Sequence, residues 1–121
     1  MEKRVLIADD AMFMRFALKN IIDGDIFKVV DEASDGAEAV DKFRDIKPDL
    51  TILDLNMPNV SGLEALKQIM NLDSKAKVIV ACCSGEMNLV VEALKSGAAD
   101  YIVKPVRNAE ETIDMMNRVL G

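Results

Sequence analysis

Four short apolar runs in this chain each stop at a residue able to do chemistry. Val5–Ala8 runs into Asp9 and Asp10, Leu50–Leu53 into Asp54, Val78–Cys82 into Cys83, and Tyr101–Val103 into Lys104 followed by Pro105. A single aspartate after an apolar run is ordinarily a turn former or a helix cap. Three aspartates and a lysine in equivalent places are a different matter. Carboxylates brought together in partly desolvated surroundings repel one another, and a positive charge must relieve them. Their oxygen donors suit a hard divalent ion, magnesium above all, which accepts one or two carboxylates and keeps water for the rest. Lys104 adds a flexible point charge able to reach the same place.

The cysteines fit neither of the usual cysteine chemistries. Adjacent Cα atoms lie about 3.8 Å apart, whereas a disulfide spans roughly 4.4–6.8 Å. With no histidine and no third cysteine in the chain, the four nitrogen or sulfur ligands of a structural zinc site are not there.

The elements that must position these residues are legible from periodicity. Val5–Ala8, Val29–Ala33 with Phe27 before it, Leu50–Leu53, Val78–Cys82 and Tyr101–Val103 predict five strands, most too apolar to have a wetted face. Between and after them Met12–Ile22, Ala37–Phe43, Leu63–Met70, Leu89–Lys95 and Glu110–Leu120 carry apolar residues three and four apart, as amphipathic helices do. Asp35 with Glu38, Ser61 with Glu64 and Asn108 with Glu111 have capping-box spacing. Gly24 and Gly97 stand where the first and fourth helices should end in a left-handed cap. Five successive strand–helix units with short connections imply right-handed crossovers and an α/β, parallel, doubly wound (βα)5 sheet, whose ligands bind beyond the carboxyl ends of the strands.

Composition narrows the function classes. With 121 residues, half of them hydrophobic and 30% charged, the chain suits one domain with one core, expected to span 1–121. A net charge of −6 argues against nucleic-acid binding, which needs a concentrated basic face. No apolar run approaches the roughly 20 residues of a membrane span, and the run after the charged N-terminus is too short for a signal peptide, so a cytoplasmic location is expected.

The segments LIADDAMFMR, LTILDLNMPNVSGLEAL and DYIVKPV resemble the signature segments of the receiver domain of two-component response regulators, and among these the stand-alone, CheY-like chemotaxis regulators. The resemblance covers essentially the whole chain. It implies the flavodoxin-like strand order 2-1-3-4-5, for which the chemotaxis regulator is a standing example. It also implies a signalling phosphoacceptor rather than an enzyme. Asp54 would take a phosphoryl group from a phosphohistidine. Asp10 would bind Mg2+ directly and Asp9 largely through water, with Asp54 and the main-chain carbonyl of Asn56 completing the set. Lys104 would pair with the phosphoryl group, Asn56 and Ser84 would tune phosphate lifetime, and Tyr101 would be an aromatic switch. A cis Lys104–Pro105 bond is part of the same pattern, although the residues alone leave the isomer open. Implied partners are a histidine kinase, a flagellar motor switch protein and a phosphatase, met by a monomer through its fourth helix, fifth strand and fifth helix.

One departure from the family pattern stands out. Counting 22 positions back from Lys104 reaches Cys82, where receivers normally carry Ser or Thr. A thiol is a weak donor beside a hydroxyl, and Cys82 also reads simply as a small buried apolar residue. Cys83 replaces a smaller Ala or Gly and would narrow access. Ser84 reads equally well as a helix cap, and Tyr101 as a half-buried strand tyrosine. Two rival classes fit poorly. A haloacid-dehalogenase-type phosphatase needs a second aspartate where Asn56 stands, and a flavin phosphate would meet Asp9 and Asp10. Within the family, a phosphorelay intermediate, a phosphate sink or a receiver cut from a longer transcriptional regulator remain open uses.

Overall fold

The computed structural model describes residues 2–121. Its elements alternate strictly: β1 (Lys3–Ala8), α1 (Met12–Ile22), β2 (Phe27–Ala33), α2 (Gly36–Ile46), β3 (Leu50–Asp54), α3 (Gly62–Leu72), β4 (Val78–Cys83), α4 (Met87–Lys95), β5 (Asp100–Lys104) and α5 (Ala109–Leu120). All strand pairings are parallel and the sheet order is β2-β1-β3-β4-β5. Each expected strand and helix is present, with ends shifted by no more than three residues.

Side chains alternate across the sheet, and each face has its own core. Val5 and Ile7 of β1, Leu50 and Ile52 of β3, and Ile79 and Ala81 of β4 pack with Leu18 and Ile22 of α1 and Met116 of α5. Leu6, Leu53, Val78, Val80 and Cys82 face the other way, onto Val40 and Phe43 of α2, Leu66 and Ile69 of α3, and Val90 and Ala93 of α4. The three central strands are thus covered on both sides. The edge strands are not: Val30 of β2 and Val103 of β5 are exposed, because each edge strand has only one neighbouring strand and an incomplete cover of helices.

Three helix starts follow the sequence expectation. Asp35 accepts the Glu38 amide at 2.8 Å, Ser61 accepts that of Glu64 at 3.2 Å, and Asn108 accepts that of Glu111 at 3.0 Å. Gly97, at φ +115°, follows α4 as expected. Gly24 does not act as a left-handed cap. Helix α1 ends through extended Asp23, whose side chain accepts the Val29 amide at 3.0 Å while the Gly24 amide donates to the Phe27 carbonyl at 2.9 Å. The left-handed cap that the sequence hides is Lys47, at φ 51° after α2, where Arg4 donates to the Ile46 and Lys47 carbonyls at 2.9 and 3.2 Å.

The start of α3 bears directly on the end of β3. The Gly62 amide donates to the Leu55 carbonyl at 3.0 Å, and a Cβ at Gly62 would fall inside the van der Waals envelope of the Asp54 carbonyl oxygen. Only a hydrogen fits there. Gly62→Ala is therefore expected to cost roughly 1–3 kcal/mol, as overpacking of a tight contact does. Urea unfolding against the parent chain checks this; unchanged stability would show that the β3 end yields freely.

Candidate acidic cation-binding site

The strand register carries the sequence-predicted residues to one place. Ala8 pairs with Leu53, so Asp9 leaves β1 level with Asp54, and Asp54 pairs in turn with Ala81. On the far side Cys83 pairs with Lys104. Asp9, Asp10 and Asp54 present carboxylate oxygens that all lie within 4.8 Å of one another. Lys104 reaches across β4, its Nζ 3.2 Å from Asp54 Oδ1 and 3.3 Å from Asp9 Oδ2.

Burial makes this arrangement expensive. Asp9 and Asp54 are only 1% and 2% exposed. Asp9 is braced from behind: its Oδ1 accepts the Ala11 amide at 2.9 Å, and its carbonyl accepts from Arg15 at 2.6 Å. Arg15 is itself fixed by a 3.0 Å ion pair with Glu32. Asp54 is held less completely. Oδ1 accepts the Asn56 amide at 3.3 Å, and Oδ2 is buried with no hydrogen-bond partner among the described residues.

The consequence is a shifted titration. Burial first, and the Asp9 charge second, raise the Asp54 carboxyl to about 6, against the opposing pull of Lys104 and the Asn56 amide. Burial alone would depress Lys104, but Asp54 and Asp9 outweigh it and its pKa moves upward. A cluster short of positive charge, with hard oxygen donors and an orphaned carboxylate oxygen, fits a small divalent cation.

The remaining sequence-predicted residues lie around this centre. Cys82 is fully buried in the core face shared with α2, α3 and α4. Burial, then the charge of Glu86, raises its thiol pKa, so the thiolate is disfavoured. Cys83 is exposed at the strand end. Ser84 lies exposed in the turn before α4 and does not cap it; the cap position is Glu86. Tyr101 is half-buried against the α2–α4 core and lines an open groove of about 690 Å³ with Lys104, Val106 and Met115. The Lys104–Pro105 bond is cis.

Three features escape a reading of the sequence. Arg15 braces Asp9, as described. Glu86 accepts the Cys83 amide at 2.7 Å with Oε1 and the Asn56 side-chain amide with Oε2, which holds its pKa below the usual carboxylate value. Met12, Phe13 and Phe16 of α1 are 74%, 76% and 62% exposed, an apolar patch just beyond Asp10. The amphipathic period of α1 marks the helix, but its residues also include apolar ones on the outer face, which period alone does not separate.

The Asp54 shift sets the sign of a pH effect. An acid whose pKa is about 6 in the folded chain and about 3.9 when unfolded binds more protons folded, so in metal-free buffer stability falls as pH rises between the two. Asp54→Asn is expected to be more stable than the parent by about 2 kcal/mol at neutral pH, with the gain fading below about pH 4. Urea unfolding in chelator at both pH values measures it; a neutral-pH loss in the variant would contradict the burial cost.

Comparison with known proteins agrees with this geometry. Residues 5–117 match the family described as response regulator receiver domain. The chain is 45% identical over 119 residues to the chemotaxis protein CheY of Thermotoga maritima, covering 98% of each. Among solved structures it is similar to the response regulator domain of Thermotoga maritima CheB, with TM-score 0.91, 39% identity and coverage of 99% and 97% of the two chains. It is also similar to a chain of the CheX-CheY-BeF3-Mg+2 complex from Borrelia burgdorferi, with TM-score 0.91, 34% identity and coverage of 98% and 90%. With its fold, its acidic cluster and this match in agreement, the chain belongs to the response regulator receiver domain family.

Proposed function

We propose that residues 1–121 act as one receiver domain that accepts a phosphoryl group on Asp54 from the phosphohistidine of a histidine kinase. The observation that carries this reading is the Asp54 carboxylate itself: buried, flanked by Asp9, paired through Oδ1 with Lys104, and without a hydrogen-bond donor at Oδ2 among the described residues. An oxygen with no donor on it has no hydrogen bond to give up when it bonds to phosphorus. The new bond joins Asp54 oxygen to phosphorus, the phosphorus–nitrogen bond of the donor breaks, and the released imidazole takes a proton from solvent. No general base is required, because a carboxyl with pKa about 6 is mostly ionised at neutral pH.

Asp9, Asp10, Asp54 and the Asn56 carbonyl would hold Mg2+, which when bound supplies positive charge against the phosphoryl oxygens. Lys104 does the same through its ammonium group, 3.2 Å from Asp54 Oδ1. Catalysis of this kind is positioning and charge neutralisation. Hydrolysis of the acyl phosphate returns the chain to its starting state, and Asn56 and Ser84 are the residues assigned to tune its rate.

Output is by binding. Met87, Val91 and Leu94 of α4 and Val103 of β5 are exposed apolar residues on one side of the molecule, beside the groove along β5 and α5 that Tyr101 lines. That surface suits a protein partner. The chemotaxis role named for the similar proteins supports a flagellar motor switch protein as the target, the CheX-CheY complex supports docking of a further protein, and a phosphatase is the counterpart that would reset the signal. Among the described residues no helix is long and apolar enough to cross a membrane.

Acetyl phosphate with Mg2+ is expected to add one phosphoryl group to the parent chain, read by intact mass, and none to Asp54→Asn. An adduct that survives the substitution, or none in the parent, would overturn the assignment. The buried thiol of Cys82 is expected to transmit the event weakly. Cys82→Thr should widen the gain in partner affinity on phosphorylation by about 1 kcal/mol, roughly fivefold, because a hydroxyl donates to a charged oxygen where a thiol barely does. Titrating the partner with phosphorylated and unphosphorylated forms of both chains tests this; equal gains would refute it.

A further inference from the structure

Beyond Asp54, the β4–α4 turn holds a second carboxylate in an unusual place. In β4 the Ala81 carbonyl accepts the Leu55 amide at 2.9 Å. Strand residues two apart address the same neighbour, so Cys83 turns its amide to the β3 side as well. There β3 has already ended at Asp54. The Cys83 amide therefore opens on the mouth of the site, and Glu86 fills the space: Oε1 accepts that amide at 2.7 Å, and Oε2 accepts the side-chain amide of Asn56, two residues beyond Asp54. Both donors suit the oxygens of an anion, since hydrogen bonds with an ionised partner are the strong ones.

We propose that Glu86 is an internal competitor of the phosphoryl group: its carboxylate occupies the Cys83 amide and the Asn56 side chain in the unphosphorylated chain, and it must swing away before an anion on Asp54 can take those donors. The inference rests on Asp54 being the phosphoacceptor and deepens that reading. The phosphoryl charge itself drives the release, because two anions cannot share the same pair of donors at short range.

The turn is built to let Glu86 move. Gly85 precedes it at φ +90° with open space where a Cβ would stand. The main chain of Glu86 is joined to α4: its carbonyl accepts the Leu89 amide at 3.0 Å and the Val90 amide at 3.3 Å. Displacing Glu86 therefore shifts the first turn of α4, which carries the exposed Met87. The chain thus has a route from phosphate to output surface that does not pass through the buried thiol of Cys82.

Beryllofluoride with Mg2+ is a suitable probe, added to the full chain and to Glu86→Gln and Glu86→Ala, with amide spectra recorded by NMR. Both variants should bind beryllofluoride roughly tenfold more tightly than the parent, the size of one charge-assisted hydrogen bond removed from the competing state. The gain should persist in about 0.5 M salt, where through-space repulsion is screened. The Cys83 amide should differ between the free parent and free variants and converge in the bound forms. Equal or weaker binding by the variants, a gain that salt abolishes, or a parent Cys83 amide unmoved by the probe would each overturn the proposal. If Glu86→Ala fails to fold, Glu86→Gln keeps the shape and decides the question through the same binding and amide measurements. A parent chain that binds no beryllofluoride at all would instead remove Asp54 as acceptor, and the proposal with it.

Discussion

Two carboxylates are buried side by side at the ends of β1 and β3, and the only ammonium group among the described residues that touches both is Lys104. With exposed Asp10 added, three negative charges face one positive charge. Everything distinctive about this end of the molecule follows from that deficit. It raises the Asp54 carboxyl, holds Lys104 charged, and leaves a site whose electrostatics are satisfied by a divalent cation or by a proton. A protein selected for stability alone would replace such a pair, since uncompensated buried charge is costly. Its retention is intelligible if the missing charge arrives with the ligand.

The fold serves this site by register. Parallel strands with buried faces fix which residues end level with one another, because a slip of one residue would send every side chain to the opposite face and into the wrong core. The two cores described above thus also lock Asp9 beside Asp54. The contact between Gly62 and the Asp54 carbonyl holds β3 from beyond its end, while Arg15 and Glu32 hold Asp9 from behind. Rigid neighbours around a cluster of like charges are what positioning catalysis needs.

Much of this is legible in the chain because it depends on local period and on strand ends. Asp9, Asp10, Asp54 and Lys104 each follow an apolar run, and the general rule for doubly wound sheets sends such residues to one edge. The three capping pairs have a spacing that only a helix start explains. Gly24 misleads, since glycine after a helix is only permissive, and Asp23 supplies a side-chain acceptor that closes the turn in extended form. Lys47 is invisible for the converse reason: its left-handed backbone is stabilised by Arg4, 43 residues away. Glu86 with Asn56, and Arg15 with Asp9, likewise depend on the paths of loops that no periodicity encodes. Cys82 reads from the sequence both as an altered switch residue and as plain core; its complete burial places it in the core, while its position beside the site keeps the first reading in play.

The central claim is that the acid cluster lacks positive charge until a cation joins it. Its most direct measure is the titration of the Asp54 carboxyl carbon, followed by NMR without and with Mg2+. The account predicts a midpoint near 6 without the ion and one below the ordinary aspartate value of about 3.9 with it. A midpoint at the ordinary value that Mg2+ does not move would contradict it.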